Sequence, residues 1–328
     1  MKQKKILITG GAGFIGSHLV DACLKQGYEV VVLDDFSHGR LENLEAHKNN
    51  PRLAIVKVDI SQFDLIKHSF NGVNWVFHLA SRADANFSLQ NPLIYHKVNV
   101  EGTAAVLEAS RAKGVQRIIY AASSSCYGIP ERVPTSELTA ILPESPDALT
   151  QYQAEQNILH WERIYGIPAL SLRIFNVYGP RARSRKTFGE VFQVFLTQKL
   201  NHEPFTIAGD GTQSRDFIYV ADVVDALMMA AESELSGEVL NVGSGQSTSI
   251  NTLVKLLGGG ATTPIARHAN EADKTCADIT KIKQLLGWKP STSLEDGVQK
   301  VLTSISDWKY SPLWTREKIE QSLKKPEE

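Results

Sequence analysis

The sequence predicts an α/β fold, in which a doubly wound parallel sheet is followed by a smaller C-terminal region. Short apolar runs recur along the first 180 residues, and helical patterns lie between them. Near-continuous apolar runs of this kind are typical of strands that are buried on both faces of a parallel sheet. Repeated strand–helix units indicate right-handed crossovers, which place helices on both sides of the sheet.

The predicted elements alternate from the first residues onward. The longest helical patterns cover 91–113 and 148–165. After about residue 180 the alternation becomes irregular, so we predict one region over 1–180 and a second over 181–328. We expect segments of the second region to pack back on the sheet. The predicted strands are 6–9, 30–33, 54–58, 75–79, 118–121 and 169–173.

Composition and charge restrict the classes of function. The 328 residues are 42% hydrophobic, which is ample for a large core. A formal net charge of −1 argues against nonspecific binding to nucleic acid or to an acidic membrane. The three cysteines show neither paired nor metal-ligand spacing, which suits a reducing compartment and predicts no metal site. Since there is no apolar run of transmembrane length and no signal peptide, we expect a cytoplasmic protein.

A glycine-rich turn follows the first predicted strand. Gly10, Gly13 and Gly16 are spaced three residues apart. Such a turn allows the backbone to approach a pyrophosphate closely, and the helix N-terminus that follows favours phosphate. Asp34 ends the second strand, where an acid binds the adenosine ribose and repels a 2′-phosphate. The pattern predicts a dinucleotide site that prefers NAD. Arg40 is the residue that would favour NADP, and a plain strand–helix turn is the alternative.

Three further segments complete a family pattern. They are Tyr-Ala-Ala-Ser-Ser-Ser-Cys-Tyr-Gly at 120–128, Arg-Ile-Phe-Asn-Val-Tyr-Gly-Pro-Arg at 173–181 and Gly-Asp-Gly-Thr-Gln-Ser-Arg-Asp-Phe at 209–217. With the glycine turn, they resemble the extended short-chain dehydrogenase/reductase family, the Rossmann-type NAD-dependent nucleotide-sugar epimerases and dehydratases. The resemblance covers residues 9 to about 290 and is to the UDP-sugar 4-epimerases in particular.

The resemblance implies that NAD is bound mainly by the first half of the chain. It places Asp59 and Ile60 beside the adenine and the stretch from Leu79 beneath the pyrophosphate. It also implies that Asn99 braces the central strands and that Phe175 lies near the nicotinamide. The implied cofactor-binding residues are Gly10, Gly13, Phe14, Ile15, Gly16, Asp34, Asp35, Phe36, Asp59, Ile60, Leu79, Ala80, Ser81, Asn99 and Phe175.

The resemblance also implies a nucleotide-sugar site. Ser123 takes the position of the catalytic serine or threonine that binds the sugar 4-hydroxyl. Ser124 and Ser125 follow it where dehydratases carry Asp-Glu, so 4,6-dehydration lacks its acid. Asn176 and Arg215 match residues that bind the sugar diphosphate, and a guanidinium suits a diphosphate because it donates two parallel charge-assisted bonds.

The chain departs from the family pattern near residue 268. His268 replaces an arginine that binds the diphosphate, so either Arg267 compensates or nucleotide affinity falls. Thr275 occupies a position where a bulky residue excludes N-acetyl groups, and a small residue there leaves room for a 2-acetamido sugar. The implied substrate-binding residues are Ser124, Asn176, Arg215, Arg267, His268 and Thr275.

The largest departure lies at the start of the pattern at 148–165. In the family this helix begins Pro-Tyr-x-x-x-Lys, where tyrosine is the general acid/base and lysine holds the nicotinamide ribose. Asp147 and Gln151 occupy those positions here. With an ordinary pKa of ~3.9 an aspartate is a poor base, and losing a positioned base typically costs ~10²–10⁴ in rate. Alternatively, Asp147 is only an N-terminal helix acid, which the helix dipole favours.

Three hypotheses for the function follow. The first is an NAD-dependent UDP-hexose or UDP-N-acetylhexosamine 4-epimerase that oxidises C4 transiently, with an impaired or rewired proton relay at Ser123, Asp147 and Gln151. The second is a non-catalytic protein that binds NAD or a nucleotide-sugar. The third is another NAD-dependent sugar activity, a reductase or decarboxylase.

The resemblance further implies a homodimer. In the family the helices that correspond to 91–113 and 148–165 pair with their copies as a four-helix bundle. Apolar residues on the second helix are candidate contacts, namely Leu149, Ile158, Leu159 and Trp161.

Overall fold

The strands form one large and three two-stranded sheets in this computed structural model, within the part it describes, residues 4–182, 191–267 and 272–323. In chain order they are β1 (Lys5–Thr9), β2 (Glu29–Asp34), β3 (Leu53–Lys57), β4 (Trp75–His78), β5 (Arg117–Ser123), β6 (Ala169–Ile174), β7 (Asn176–Tyr178), β8 (Phe205–Ala208), β9 (Ser214–Arg215), β10 (Phe217–Tyr219), β11 (Glu238–Val242), β12 (Thr248–Ser249) and β13 (Thr262–Ile265). The large sheet has the order β11-β6-β5-β4-β1-β2-β3, and all its neighbouring strands are parallel.

Helices connect these strands. The α-helices are α1 (Phe14–Lys25), α2 (Phe63–Ile66), α3 (Ala85–Gln90), α4 (Pro92–Tyr95), α5 (Gly102–Lys113), α6 (Pro146–Tyr165), α7 (Val191–Leu200), α8 (Val220–Glu232), α9 (Ile250–Leu256), α10 (Thr280–Leu286), α11 (Leu294–Thr303) and α12 (Arg316–Leu323). Short 3-10 turns cover Leu41–His47, Lys67–Phe70, Ser124–Tyr127 and Ile305–Tyr310, and a π-helical turn, His96–Glu101, joins α4 to α5.

The large sheet is covered on both faces. Successive strand side chains point to opposite faces, and in β1 Ile6 and Ile8 join one apolar cluster whereas Leu7 joins the other. All three are fully buried. Burial on both faces explains why the strands are apolar without alternation. The predicted doubly wound α/β fold is therefore confirmed.

Two predicted features differ in the structure. The run at 54–58 was expected to form a strand buried on both faces, but β3 is the edge strand and Ile55 is 37% exposed. An edge strand lacks one neighbour, so apolar side chains alone do not place a strand inside a sheet. The predicted helix at 91–113 is a succession of α4, the π turn and α5 rather than one α-helix.

The second half of the chain contributes to the large sheet and to the site. β11 pairs with β6 in the large sheet, and α8 packs against α1. The pairing of β7 with β10 sets Asn176 opposite Phe217, two residues beyond Arg215. This register brings two segments that are distant in sequence to the same edge of the molecule. The division at residue 180 stays a prediction.

Candidate active site

A cleft with a volume of about 770 Å³ lies at the carboxyl ends of the parallel strands. In open α/β sheets, ligands bind outside this edge. Most of the predicted site residues line the cleft: Gly10, Gly13, Phe14, Ile15, Gly16, Asp34, Asp35, Asp59, Ile60, Leu79, Ala80, Ser81, Ser123, Ser124, Asp147, Gln151, Phe175, Asn176, Arg215 and Thr275.

The glycine turn leaves no room for side chains. A Cβ added at Gly16 would lie 2.2 Å from the carbonyl oxygen of Gly10. Gly10 has φ of +69°, and a Cβ there would lie 2.9 Å from the backbone nitrogen of Ala80. The turn therefore keeps the backbone and the start of α1 open to a ligand. This shape fits the pyrophosphate of a dinucleotide.

Asp34 lies at the end of β2 and faces the same turn. Its two carboxylate oxygens accept hydrogen bonds from the backbone N–H groups of Ala12 and Phe36, each at 2.9 Å. Burial raises its pKa, although these two hydrogen bonds lower it. Each oxygen keeps a further lone pair, so the carboxylate can also accept from a ribose. The residues at this end of the cleft therefore fit NAD.

A buried chain of hydrogen bonds holds the loop after β4. The Thr9 hydroxyl accepts from the N–H groups of Leu79 and Ala80, and lies 2.7 Å from His78 Nδ1. His78 Nε2 lies 2.8 Å from the Thr103 hydroxyl, which in turn donates to a backbone carbonyl. Burial lowers the pKa of His78 to about 4, so the ring is neutral. The loop beneath the glycine turn is thus fixed without any charge that titrates near neutrality.

Asp147 and Gln151 form a hydrogen-bonded pair at the other end of the cleft. Both lie in the first turns of α6, where Ser145 caps the helix by accepting from the N–H of Ala148. Gln151 Nε2 donates to Asp147 Oδ1 at 2.6 Å, and the two residues are 5% and 6% exposed, respectively. Residues that are four apart on a helix lie on the same face, so these two side chains can meet. Asp147 is therefore more than an exposed cap of the helix.

The environment of Asp147 changes its acidity. Burial raises its pKa from 3.8 to about 7, the hydrogen bond from Gln151 lowers it, and the negative charge of Asp84 raises it further. The expectation of a poor base rested on the ordinary pKa of an exposed aspartate, which does not apply at this site. A base is most effective when its pKa lies near the working pH. The carboxyl group can therefore exchange a proton near neutrality.

Ser123 ends β5 and also lines the cleft. Its hydroxyl oxygen accepts a hydrogen bond from the N–H of Ser125 at 3.1 Å, which orients the side chain. The hydroxyl hydrogen remains available to a ligand.

Of the predicted site residues that the structure describes, three do not line the cleft. Phe36 packs against the core. Asn99 is 1% exposed, and its amide binds the backbone of Arg82 and the hydroxyl of Thr150, so it braces the loop after β4 against α6 rather than the central strands. Arg267 is exposed and pairs with Asp273 at 2.5 Å. His268 lies outside the described residues.

Several residues that line the cleft were not predicted from the sequence. They include His38, Arg82, Asp84, Asn86 and Gln193. Asp84 has a local signal, because an acid that precedes a short helix is a typical N-cap. Its Oδ1 accepts from the N–H of Phe87 at 2.8 Å. Its effect on Asp147 required the tertiary structure.

A buried ion pair fixes α6 behind the site. Glu155, one turn after Gln151, binds two nitrogens of Arg173 at 2.6 and 2.9 Å. Arg173 also donates to the Tyr127 hydroxyl, which donates to Asn241 in β11. Breaking such a pair leaves an unpaired buried charge. The network therefore ties the helix that carries Asp147 to two strands, β6 and β11, and to the loop after β5.

The described residues contain neither a helix that could span a membrane nor a cluster that could bind a metal ion. Across 4–182, 191–267 and 272–323, no helix is long and apolar enough to cross a membrane. Over the same ranges, no group of three or more His, Cys, Asp or Glu side chains could hold a metal ion.

Comparison with known proteins agrees with the geometry of the cleft. A profile of the NAD dependent epimerase/dehydratase family matches residues 6–243. A putative UDP-glucose 4-epimerase of Methanocaldococcus jannaschii is 37% identical over 305 residues, which cover 90% of this chain and 97% of that protein.

Solved structures show the same fold. UDP-N-acetylglucosamine 4-epimerase from Methanobrevibacter ruminantium, in complex with UDP-N-acetylmuramic acid, superposes with a TM-score of 0.86 at 32% identity, covering 93% of this chain and 100% of that one. UDP-glucuronic acid 4-epimerase from Bacillus cereus, in complex with UDP-glucuronic acid and NAD, has a TM-score of 0.83 at 33% identity, covering 92% and 99%. The predicted NAD cofactor is thereby confirmed, and the chain belongs to the NAD dependent epimerase/dehydratase family.

Proposed function

We propose that this chain is an NAD-dependent UDP-sugar 4-epimerase in which Asp147 is the general base. The observation that carries the proposal is the environment of Asp147. It occupies the position of the family's tyrosine, lines the cleft, is held by Gln151 and has a pKa raised to about 7. The relatives named as UDP-sugar 4-epimerases support the substrate class.

The replacement of lysine by glutamine supports the same assignment. A tyrosine has an ordinary pKa of about 10, and burial raises it further from neutrality, so a nearby cation is needed to lower it. Burial raises the pKa of an aspartate from ~3.9 towards 7, which is the range in which a base is effective. A lysine at position 151 would lower the pKa of Asp147 again. Neutral Gln151 therefore suits an aspartate base as lysine suits a tyrosine base.

The residues of the cleft have separate tasks in this proposal. Bound NAD supplies the redox chemistry at C4 of the sugar. Asp147 takes the proton of the 4-hydroxyl and returns it after the 4-keto sugar has turned over, while Ser123 holds that oxygen by a hydrogen bond. Asn176 and Arg215 bind the diphosphate, and Thr275 leaves room for a 2-acetamido group.

Turnover by matched variants tests the proposal. The unaltered protein should epimerise UDP-glucose, UDP-N-acetylglucosamine or UDP-glucuronic acid, and Asp147→Asn should lower kcat by about 10²–10⁴. Asparagine preserves the shape and the bond to Gln151, so NAD and UDP titrations should be unchanged. Binding without turnover by the unaltered protein would favour the non-catalytic hypothesis. A product that has lost its carboxylate would favour a decarboxylase, and a reduced product would favour a reductase.

We also propose that the chain forms a homodimer in the cytoplasm. On the helices predicted to pair, Leu93 is 84% exposed, Leu149 43% and Ile164 55%, and such apolar surface favours burial against a copy. Ile158, one of the predicted contacts, is fully buried against the sheet and is excluded. Sedimentation should give a dimer for the unaltered protein and a monomer for Leu93→Lys with Leu149→Lys.

A further inference from the structure

Arg181 has a backbone conformation that only its surroundings can maintain. It follows β7 in the sequence Tyr-Gly-Pro-Arg, and its φ is 67°. This left-handed region is unfavourable for any residue with a side chain other than Asn or Asp. Strained residues of this kind often lie at ligand sites. The side chain of Arg181 is therefore held at this place by specific contacts.

Those contacts join the Arg181 loop to the helix that follows the glycine turn. Arg181 Nη2 donates to Asp21 Oδ2 of α1 at 2.8 Å. The other oxygen of Asp21 lies 2.8 Å from His47 Nε2, and His18 Nε2 lies 3.0 Å from the carbonyl oxygen of Pro180. A carbonyl only accepts, so His18 carries its proton on Nε2 and donates. The guanidinium is thus anchored on one side.

One guanidinium nitrogen of Arg181, Nη1, has no hydrogen-bond partner within the described residues. This nitrogen is buried, although the residue lines the cleft. A buried unpaired donor costs free energy, which a ligand acceptor would recover. The same cleft is lined by Gly13 of the glycine turn and by Asn176 and Arg215 of the sugar-diphosphate end.

We propose that Arg181 is a diphosphate ligand of the cleft, anchored by Asp21 so that its remaining donors face a bound phosphate. A guanidinium with fixed orientation binds phosphate oxygens in pairs. Both the dinucleotide and the UDP-sugar contain a diphosphate. A role of Arg181 in binding the UDP-sugar rests on the proposed function.

Calorimetric titration of Arg181→Gly with NAD and with UDP tests the inference. Glycine accepts the positive φ, so this variant keeps the backbone and should fold. A lost charge-assisted bond should weaken NAD, UDP or both by about 10- to 100-fold. A loss for NAD alone assigns Arg181 to the dinucleotide, and a loss for UDP alone assigns it to the nucleotide-sugar. Arg181→Lys keeps the positive charge but not the paired donors of the guanidinium, so its loss of affinity should be intermediate.

The matched control is His202→Gly. His202 also has a positive φ, 57°, but it is exposed and does not line the cleft, so binding should not change. Equal affinity of Arg181→Gly and the unaltered protein for both ligands would overturn the inference and leave the proposed function intact. Absence of binding by the unaltered protein would overturn both.

Discussion

The two ends of the cleft differ in what forms them: backbone geometry at one end and side chains at the other. At the cofactor end, the backbone of the glycine turn forms the site, and a Cβ at Gly16 would lie 2.2 Å from a carbonyl oxygen. At the proposed sugar end, the side chains of Asp147 and Gln151 form the site, and a 2.6 Å hydrogen bond joins them across one turn of α6. Backbone geometry tolerates little change, whereas the chemistry of a side chain can be adjusted by its surroundings.

This difference explains why one end keeps the family pattern and the other does not. A glycine turn either has room for a pyrophosphate or lacks it. A general base needs a pKa near the working pH, and two routes lead there. A buried tyrosine needs a cation to lower its pKa, whereas a buried aspartate needs none because burial itself raises its pKa.

The largest expected effect concerns stability, because burying the ionised carboxylate of Asp147 should lower the free energy of unfolding. Folded Asp147 keeps its proton up to a pH of about 7, whereas the unfolded residue releases it near 3.8. The free energy of unfolding should therefore fall as pH rises across this window. Asp147→Asn removes the cost and should raise the free energy of unfolding above pH 7 by about 4 kcal/mol at most.

Urea unfolding between pH 5 and pH 8 measures this gain. It should increase from pH 5 to pH 7 and then level off. Asp210, which is exposed, is the matched control, and Asp210→Asn should give no such gain. A gain for Asp147→Asn that is constant with pH would show that the carboxyl group titrates normally.

At the cofactor end, Gly16→Ala should damage folding and binding together. The added methyl group would meet the backbone of Gly10, so the turn must shift. Overpacking of this kind typically costs about 1–3 kcal/mol of stability. NAD should bind more weakly because the N–H groups move away from the pyrophosphate.

Thermal unfolding and NAD titration check this prediction. Gly72→Ala is the comparison, because Gly72 has open space around its Cβ position and lies outside the cleft lining. It should lose some stability through its positive φ of +72° but no NAD affinity. Normal NAD binding by Gly16→Ala would mean that the turn is not the pyrophosphate site.

The smallest effect concerns the pH dependence of turnover. Because a base must be deprotonated, kcat should rise with pH and level off above about 7. Gln151→Lys adds a cation beside Asp147 and should shift this rise to lower pH. Asp84→Asn removes a negative charge and should shift it in the same direction. Gln151→Met removes the donor and should shift the rise to higher pH.

Comparison of kcat at pH 6 and pH 8 measures these shifts. The ratio of the two values should change by about a few-fold for each variant, since one pKa unit corresponds to tenfold in the deprotonated fraction below the pKa. Identical profiles for Gln151→Lys and Gln151→Met would contradict the role of the pair.

Local patterns in the sequence were sufficient to predict the fold class and the glycine turn. The apolar runs predicted six of the seven strands of the parallel sheet, because burial on both faces demands apolar side chains at successive positions. The seventh, β11, was not predicted as a strand. The spacing of Gly10, Gly13 and Gly16 predicted the turn, because its geometry depends on adjacent residues. The edge position of β3 was missed, since the order of strands depends on contacts between distant segments.

The acid–base properties of the site depended on the tertiary structure. The sequence alone places Asp147 and Gln151 one turn apart, and it gives Asp147 the acidity of an exposed carboxyl group. Burial beneath the loop after β4, with Asp84 nearby, raises its pKa to about 7. The anchoring of Arg181 by Asp21, 160 residues away, is equally invisible in the sequence. The physical reason is the same in both cases: solvation and charge depend on neighbours in space, whereas strand and turn geometry depend on neighbours in the chain.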